Sequence, residues 1–105
     1  MISISNILAK NKSSINMKIQ KPKKYAVFVH NDDSTPMDFV IHILSCHFYK
    51  DHDEAMLIML QSHHNSKALV GVYSKELAEQ KIYETMLLAK SSKFSFLITL
   101  EEYFA

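Results

Sequence analysis

From residue 24 onward the chain switches between unbroken apolar runs and apolar positions spaced three and four apart, and each switch falls at a polar break. Tyr25-Ala26-Val27-Phe28-Val29 is a continuous β-branched and aromatic run, which predicts a strand. Between Pro36 and Tyr49, Met37, Val40, Ile43-Leu44 and Phe48 form a broad stripe with helical spacing. A second helical stretch covers Asp53–His64, with Ala55, Ile58, Met59 and Ser62 on one side. Ala68 to Tyr73 reads as a second strand. Lys75 to Ser91 reads as a third helix with Leu77, Ala78, Ile82, Thr85-Met86 and Ala89 inward, and Phe94 to Leu100 as a third strand. The order β-α-α-β-α-β predicts an α+β fold, a three-stranded antiparallel sheet with three helices packed on one face.

The breaks carry their own chemistry. Thr35 is placed to cap the first helix, Pro36 fits its first turn, and Asp38 three residues on favours the positive helix end. Asp51 with Glu54, and Ser74, mark the starts of the other two helices. Gly71 is the only glycine in the chain; inside a strand it predicts the close approach of another backbone or side chain.

With 105 residues, 48% hydrophobic and 22% charged, the chain has the length and balance of one globular domain. The net charge of +1 conceals two unlike segments. Residues 1–24 carry six Lys and no acid, whereas residues 25–105 carry six Lys and 11 acids, a net of −5. Residues 1–23 lack periodicity and predict a disordered basic extension, either a solvated leader or a partner-contacting arm, ahead of a domain at 24–105. A Ser- and Lys-rich start free of acids is also compatible with an organelle transit segment. No Arg is present, which argues against phosphate and nucleic-acid recognition. No apolar run is long enough to span a membrane.

Cys46 is the single cysteine, so no internal disulfide forms, which suits a reducing compartment; its place in the first helix predicts a small buried hydrophobe. The six His show no metal-ligand spacing. His42 and His47 are five apart, and His63 and His64 point to different sides of a helix, so neither a metal site nor a cofactor is expected.

The densest chemistry is Asn31, Asp32 and Asp33, held between the first strand and the first helix. Their side chains can close a turn and a helix cap. They can also accept the three N–H donors of a primary ammonium beside an apolar helix face.

His30–Val40 as a whole resembles the (V/H)-N-D-D-x-T-P-M-(E/D)-F-V signature of the ClpS adaptors. The resemblance continues in order through Asp53-Glu54-Ala55, Ile58-Met59-Leu60, His63, Lys67-Ala68, Gly71-Val72-Tyr73, Glu76, Ala78-Glu79, Lys81 and Thr99-Leu100-Glu101. It spans about residues 24–102. It implies a non-enzymatic, monomeric, cytoplasmic adaptor (or one in an organelle of bacterial origin). Such an adaptor binds proteins that begin with Phe, Tyr, Trp or Leu and delivers them to the amino-terminal domain of a ClpA- or ClpC-like unfoldase for Clp proteolysis.

Carried over residue by residue, the resemblance implies an amine site at Asn31, Asp32 and His63, where a neutral His63 ring accepts a hydrogen bond. It implies a side-chain pocket of Asp33, Thr35, Met37, Val40, Met59, Ser62 and Phe96, with Met37 as a gate against β-branched residues. It implies an unfoldase contact at Glu76, Glu79 and Lys81. Three positions depart from the pattern: Ser62 replaces a pocket-wall Val, Ser34 an aromatic, and Ser66 a glycine. The first two leave open which bulky residue is preferred. Two rival readings stand beside this one: a metal-assisted hydrolase using Asp32, Asp33 and His63, and a ribosome- or nucleic-acid-associated α+β module using the Lys-rich leader.

Overall fold

A computed structural model describes residues 23–104, and the expected disordered extension falls outside them apart from Lys23. The elements run β1 (Lys24–His30), α1 (Met37–His47), α2 (His52–Asn65), β2 (Lys67–Ser74), α3 (Lys75–Ser91) and β3 (Ile98–Tyr103). The β-α-α-β-α-β order is the expected one. The strands pair antiparallel in the order β2-β1-β3, so the first strand is central.

Period-two alternation decides which way β1 faces. Val27 and Val29 are buried beneath the helices with Ala68 and Val70 of β2 and Ile98 of β3. From the helices come Ile43 and Leu44 of α1, Ala55, Ile58 and Met59 of α2, and Ala78 and Ala89 of α3. Thr85 is fully buried without cost, because its hydroxyl donates to the Lys81 and Ile82 carbonyls. The opposite sheet face is more polar: the Lys67 ammonium lies over the Phe28 ring and pairs with Glu101 across the central strand.

Two of the three expected caps form. Asp51 Oδ1 accepts from the Glu54 N–H at 2.8 Å, and Ser74 Oγ from Leu77 N–H at 3.3 Å. The Thr35 cap does not. Pro36 is the N-cap residue, no side chain caps α1, and the Thr35 hydroxyl donates to Asp32 Oδ2. Donation to the carboxylate leaves the hydroxyl's lone pairs free, so it does not compete with capping; the cap is missing because Pro36, not Thr35, takes the N-cap position. α1 also ends at His47 rather than Tyr49, which turns the chain at a positive φ of 57°.

β3 begins at Ile98, four residues later than the apolar pattern predicts. Phe94 and Phe96 are apolar for a different reason: they meet Phe39 of α1 edge-on, with ring centroids 4.8 and 5.8 Å apart. Cys46 is exposed, not buried. At 100° per residue it sits at the edge of the buried stripe of α1, about 60° round the helix from Ile43 but about 160° from Leu44, next to His42, whose Nδ1 lies 3.5 Å from Sγ. Leu77 is 43% exposed, so the buried stripe of α3 is narrower than expected. Gly71 meets its expectation: a Cβ there would lie 2.7 Å from the Tyr73 hydroxyl. Beside it β2 carries one extra residue opposite Val27 and Phe28.

Candidate functional site

The sheet's central strand delivers the chain into the densest polar segment, and two backbone bonds hold it there. His30 N–H donates to the Leu97 carbonyl at 3.0 Å, and Asn31 N–H donates to the Ser66 carbonyl at 2.8 Å. The first ties the segment to the approach of β3, the second to the turn between α2 and β2. Ser66 makes that turn with φ 73° and ψ −35°, a left-handed backbone that favours glycine. Because Ser66 directly follows α2, anchoring Asn31 to it brings Asn31 beside the last turn of that helix.

There His63 Nδ1 lies 3.1 Å from Asn31 Oδ1. An amide oxygen only accepts, so the proton of a neutral imidazole sits on Nδ1 and the free lone pair on Nε2. Asn31 Oδ1 retains a second lone pair. Asp32 folds back on its own loop. Its carboxylate accepts from the Ser34 N–H at 3.2 Å, from the Ser34 hydroxyl and from Thr35 Oγ1. The Thr35 hydrogen bond, followed by those from Ser34, outweighs desolvation and holds the Asp32 carboxyl below the ordinary carboxylate range. The group stays ionised through neutral pH.

These residues rim a cleft of about 340 Å³, counting its open mouth. Its lining is His30, Asn31, Asp32, Thr35, Met37, Val40, Met59, Ser62, His63 and Phe96. The structure therefore brings together the three expected amine-site residues and six of the seven expected pocket residues. Val40, Met59 and Phe96 are buried, while Met37 is 61% exposed and stands at the mouth. Asp33 is exposed and is not among the lining residues.

Sequence reasoning missed His30 and Phe39. His30 lines the cleft and its Nε2 shares a hydrogen bond of 2.7 Å with Thr99 Oγ1. Its position at the end of β1, next to Asn31, was the available signal. Phe39 backs Phe96 from α1, a contact across 57 residues of chain that no local pattern marks.

The expected unfoldase contact lies elsewhere. Glu76 and Glu79 are exposed on the first turns of α3. Lys81 is not free in the same way. Its ammonium donates to the His47 carbonyl at 2.6 Å and lies 4.7, 5.5 and 5.9 Å from the Tyr49, Phe48 and Tyr73 ring centres. Burial, and then the Glu54 carboxylate, push the Tyr73 phenol upward, so it stays neutral in that cage.

In chemical terms the cleft offers a carboxylate, an amide oxygen and an imidazole lone pair at one end, and apolar walls beyond. It suits a small cation attached to a large apolar group. Among the described residues no cluster of three His, Cys, Asp or Glu could hold a metal ion. No helix among them is long and apolar enough to cross a membrane.

Comparison with known proteins finds relatives that share one description. A family model described as "ATP-dependent Clp protease adaptor protein ClpS" matches residues 20–99. The ATP-dependent Clp protease adapter protein ClpS of Vibrio atlanticus is 40% identical over 98 residues, covering 93% of this chain and 89% of that one. The protein of the same name from Lawsonia intracellularis is 44% identical over 85 residues, covering 81% of this chain and 78% of that one. Among solved structures, Agrobacterium tumefaciens ClpS2 bound to L-phenylalaninamide superposes with a TM-score of 0.77 at 34% identity. It covers 79% of this chain and all of that one.

Proposed function

The chain belongs to the ClpS family of ATP-dependent Clp protease adaptors, which are adaptor proteins and not enzymes, and from that premise we propose that its cleft captures the first residue of substrate proteins. The free α-amino group of that residue is mostly protonated at neutral pH, with a pKa of roughly 7.7–8. Its three N–H donors match three acceptors: Asn31 Oδ1, His63 Nε2 and the ionised Asp32 carboxylate. Its side chain enters between Val40, Met59 and Phe96, past Met37. Thr35 stands between the two ends, with its hydroxyl bound to Asp32.

The observation that carries this reading is the His63–Asn31 contact. It orients the imidazole so that its lone pair is left over, at the mouth of an apolar cleft already holding an ionised carboxylate. Independent support comes from the Agrobacterium relative, whose L-phenylalaninamide is an aromatic residue with a free α-amine. Methionine lining suits Phe, Tyr, Trp and Leu alike, because the thioether side chain repacks easily.

Delivery follows from the family role. The partner is a ClpA- or ClpC-like unfoldase in the cytoplasm, met through its amino-terminal domain at exposed Glu76 and Glu79, with Lys81 bracing the corner beneath them. Residues 1–23 act at the unfoldase and not at the cleft. Deleting residues 1–20 tests the division: affinity for a Phe-led peptide stays unchanged while unfoldase-dependent degradation of a Phe-led protein falls. Loss of peptide affinity on deletion would overturn it.

A further inference from the structure

The cleft wall contains one residue whose chemistry the capture of a bulky apolar side chain does not call for. Ser62 lies on α2 and is 5% exposed, set among Val40, Met59 and Phe96. A serine here gives up the apolar surface a larger aliphatic side chain would bury, and brings a hydroxyl into an otherwise greasy wall. That hydroxyl is not free to rotate toward any need. Its hydrogen is committed to the Met59 carbonyl at 2.7 Å, one turn back along the helix. A hydroxyl has one hydrogen and two lone pairs, so what remains to face the cleft is acceptor character alone.

Among the described residues, the only other hydroxyl lining the cleft, that of Thr35, is likewise committed as a donor, to Asp32 at the charged end. The cleft therefore holds buried acceptors at both ends. The α-amine supplies donors to the charged end, and a Phe or Leu side chain supplies none to the other. Aliphatic and phenyl groups set against Ser62 Oγ leave it desolvated and unpaired; a phenolic O–H or an indole N–H pairs it.

We infer that Ser62 is a specificity-determining residue that biases this cleft toward first residues whose ring edge carries a hydrogen-bond donor, tyrosine above all and then tryptophan, over phenylalanine and leucine. This rests on the proposed capture of the amino-terminal residue and adds the preference within it. Tyrosine and phenylalanine differ by one hydroxyl, so they isolate the effect. A site with an acceptor waiting for that hydroxyl discriminates against the analogue lacking it, because the acceptor is then left unpaired.

The test uses the full chain and four peptides identical after the first residue, led by Tyr, Phe, O-methyltyrosine and Leu, titrated by fluorescence anisotropy. Wild type binds the Tyr peptide about three- to tenfold more tightly than the Phe peptide, the range one net hydrogen bond spans. The O-methyltyrosine peptide, which keeps the ring and the oxygen but cannot donate, loses that advantage. In Ser62→Val the Tyr-to-Phe ratio falls to one or below and the Leu peptide gains affinity. Ser62→Ala removes the hydroxyl with no added bulk and brings the ratio to one, which guards against a packing fault in the Val variant. A wild-type ratio of one or less overturns the inference, as does O-methyltyrosine binding like tyrosine, or a ratio unmoved by both substitutions. Each of those results leaves the dependence on a free amine intact. If amino-terminal acetylation changes nothing on wild type, the capture reading fails first and this inference fails with it.

Discussion

Two corners of this small domain are rich in charge, and they use it in opposite ways. At the corner where α1 ends, the Lys81 cation is consumed. It donates to a helix-terminal carbonyl and is ringed by Phe48, Tyr49 and Tyr73. At the corner where β1 ends, acceptors are in surplus. Asn31 Oδ1 keeps a lone pair, the imidazole of His63 keeps Nε2, and Asp32 keeps its charge. A saturated cation holds structure together; unsaturated acceptors beside an apolar cleft await a donor from elsewhere. Whether a group's hydrogen-bonding capacity is already used separates a brace from a site better than the mere presence of charge does.

The sharpest way to break this comparison is to remove the surplus. Asn31→Ala and His63→Ala should each weaken binding of a Phe-led peptide by about 30-fold or more. That is the lower end of the ~2–5 kcal/mol range for truncating one partner of a buried charged pair, since both side chains are exposed until the peptide covers them. Unfolding midpoints should barely move. If the losses in affinity are accompanied by equal losses in stability, the corner is a brace like the other.

Next in size is the gate. Wild type should bind a Leu-led peptide at least about tenfold better than an Ile-led one, the scale at which a pocket resolves a branching difference. Met37 is at the mouth and contributes no buried core surface, so Met37→Ala should narrow that ratio and leave folding intact. Equal affinity for Leu and Ile on wild type would remove Met37 from the gate.

The Lys81 corner should respond in the reverse sense. Lys81→Ala leaves the His47 carbonyl and three rings without their cation, and should cost about 1–3 kcal/mol of stability in urea unfolding. Peptide affinity should not change. A smaller effect with positive sign is expected at Ser66. Ser66→Gly relieves a left-handed backbone and should stabilise by roughly 0.5–1 kcal/mol after the added freedom of the unfolded chain is counted. No gain would mean that the Ser66 turn is not strained.

What the sequence disclosed, and what it withheld, divides by distance along the chain. β1, the Asp51 and Ser74 caps and the inward stripe of α2 were legible because each is decided within three or four residues. Cys46 was less legible: its helical position, about 60° from Ile43 and about 160° from Leu44, lies at the edge of the buried stripe, where neighbouring packing decides burial. Thr35 was ambiguous in principle. Its side chain fits an N-cap, yet the helix starts one residue later, with Pro36 at the N-cap and the Thr35 hydroxyl donating to Asp32. The Lys81 cage and the Phe39–Phe96 pair were not legible, since they join elements 34 and 57 residues apart. The cleft lay in between: its residues could be named from the motif, but the acceptor state of Ser62 and the tautomer of His63 needed coordinates.

Recognition of a charged α-amine by the cleft is open to a single calorimetric comparison. A Phe-led peptide and its amino-terminally acetylated form are titrated into the full chain at neutral pH. Acetylation removes the positive charge and two of the three donors that Asn31, Asp32 and His63 are placed to accept. The free peptide should bind at least about 30-fold more tightly than the acetylated one. Equal affinity for the two would contradict the account, and would leave Asn31, Asp32 and His63 as a turn and its anchor.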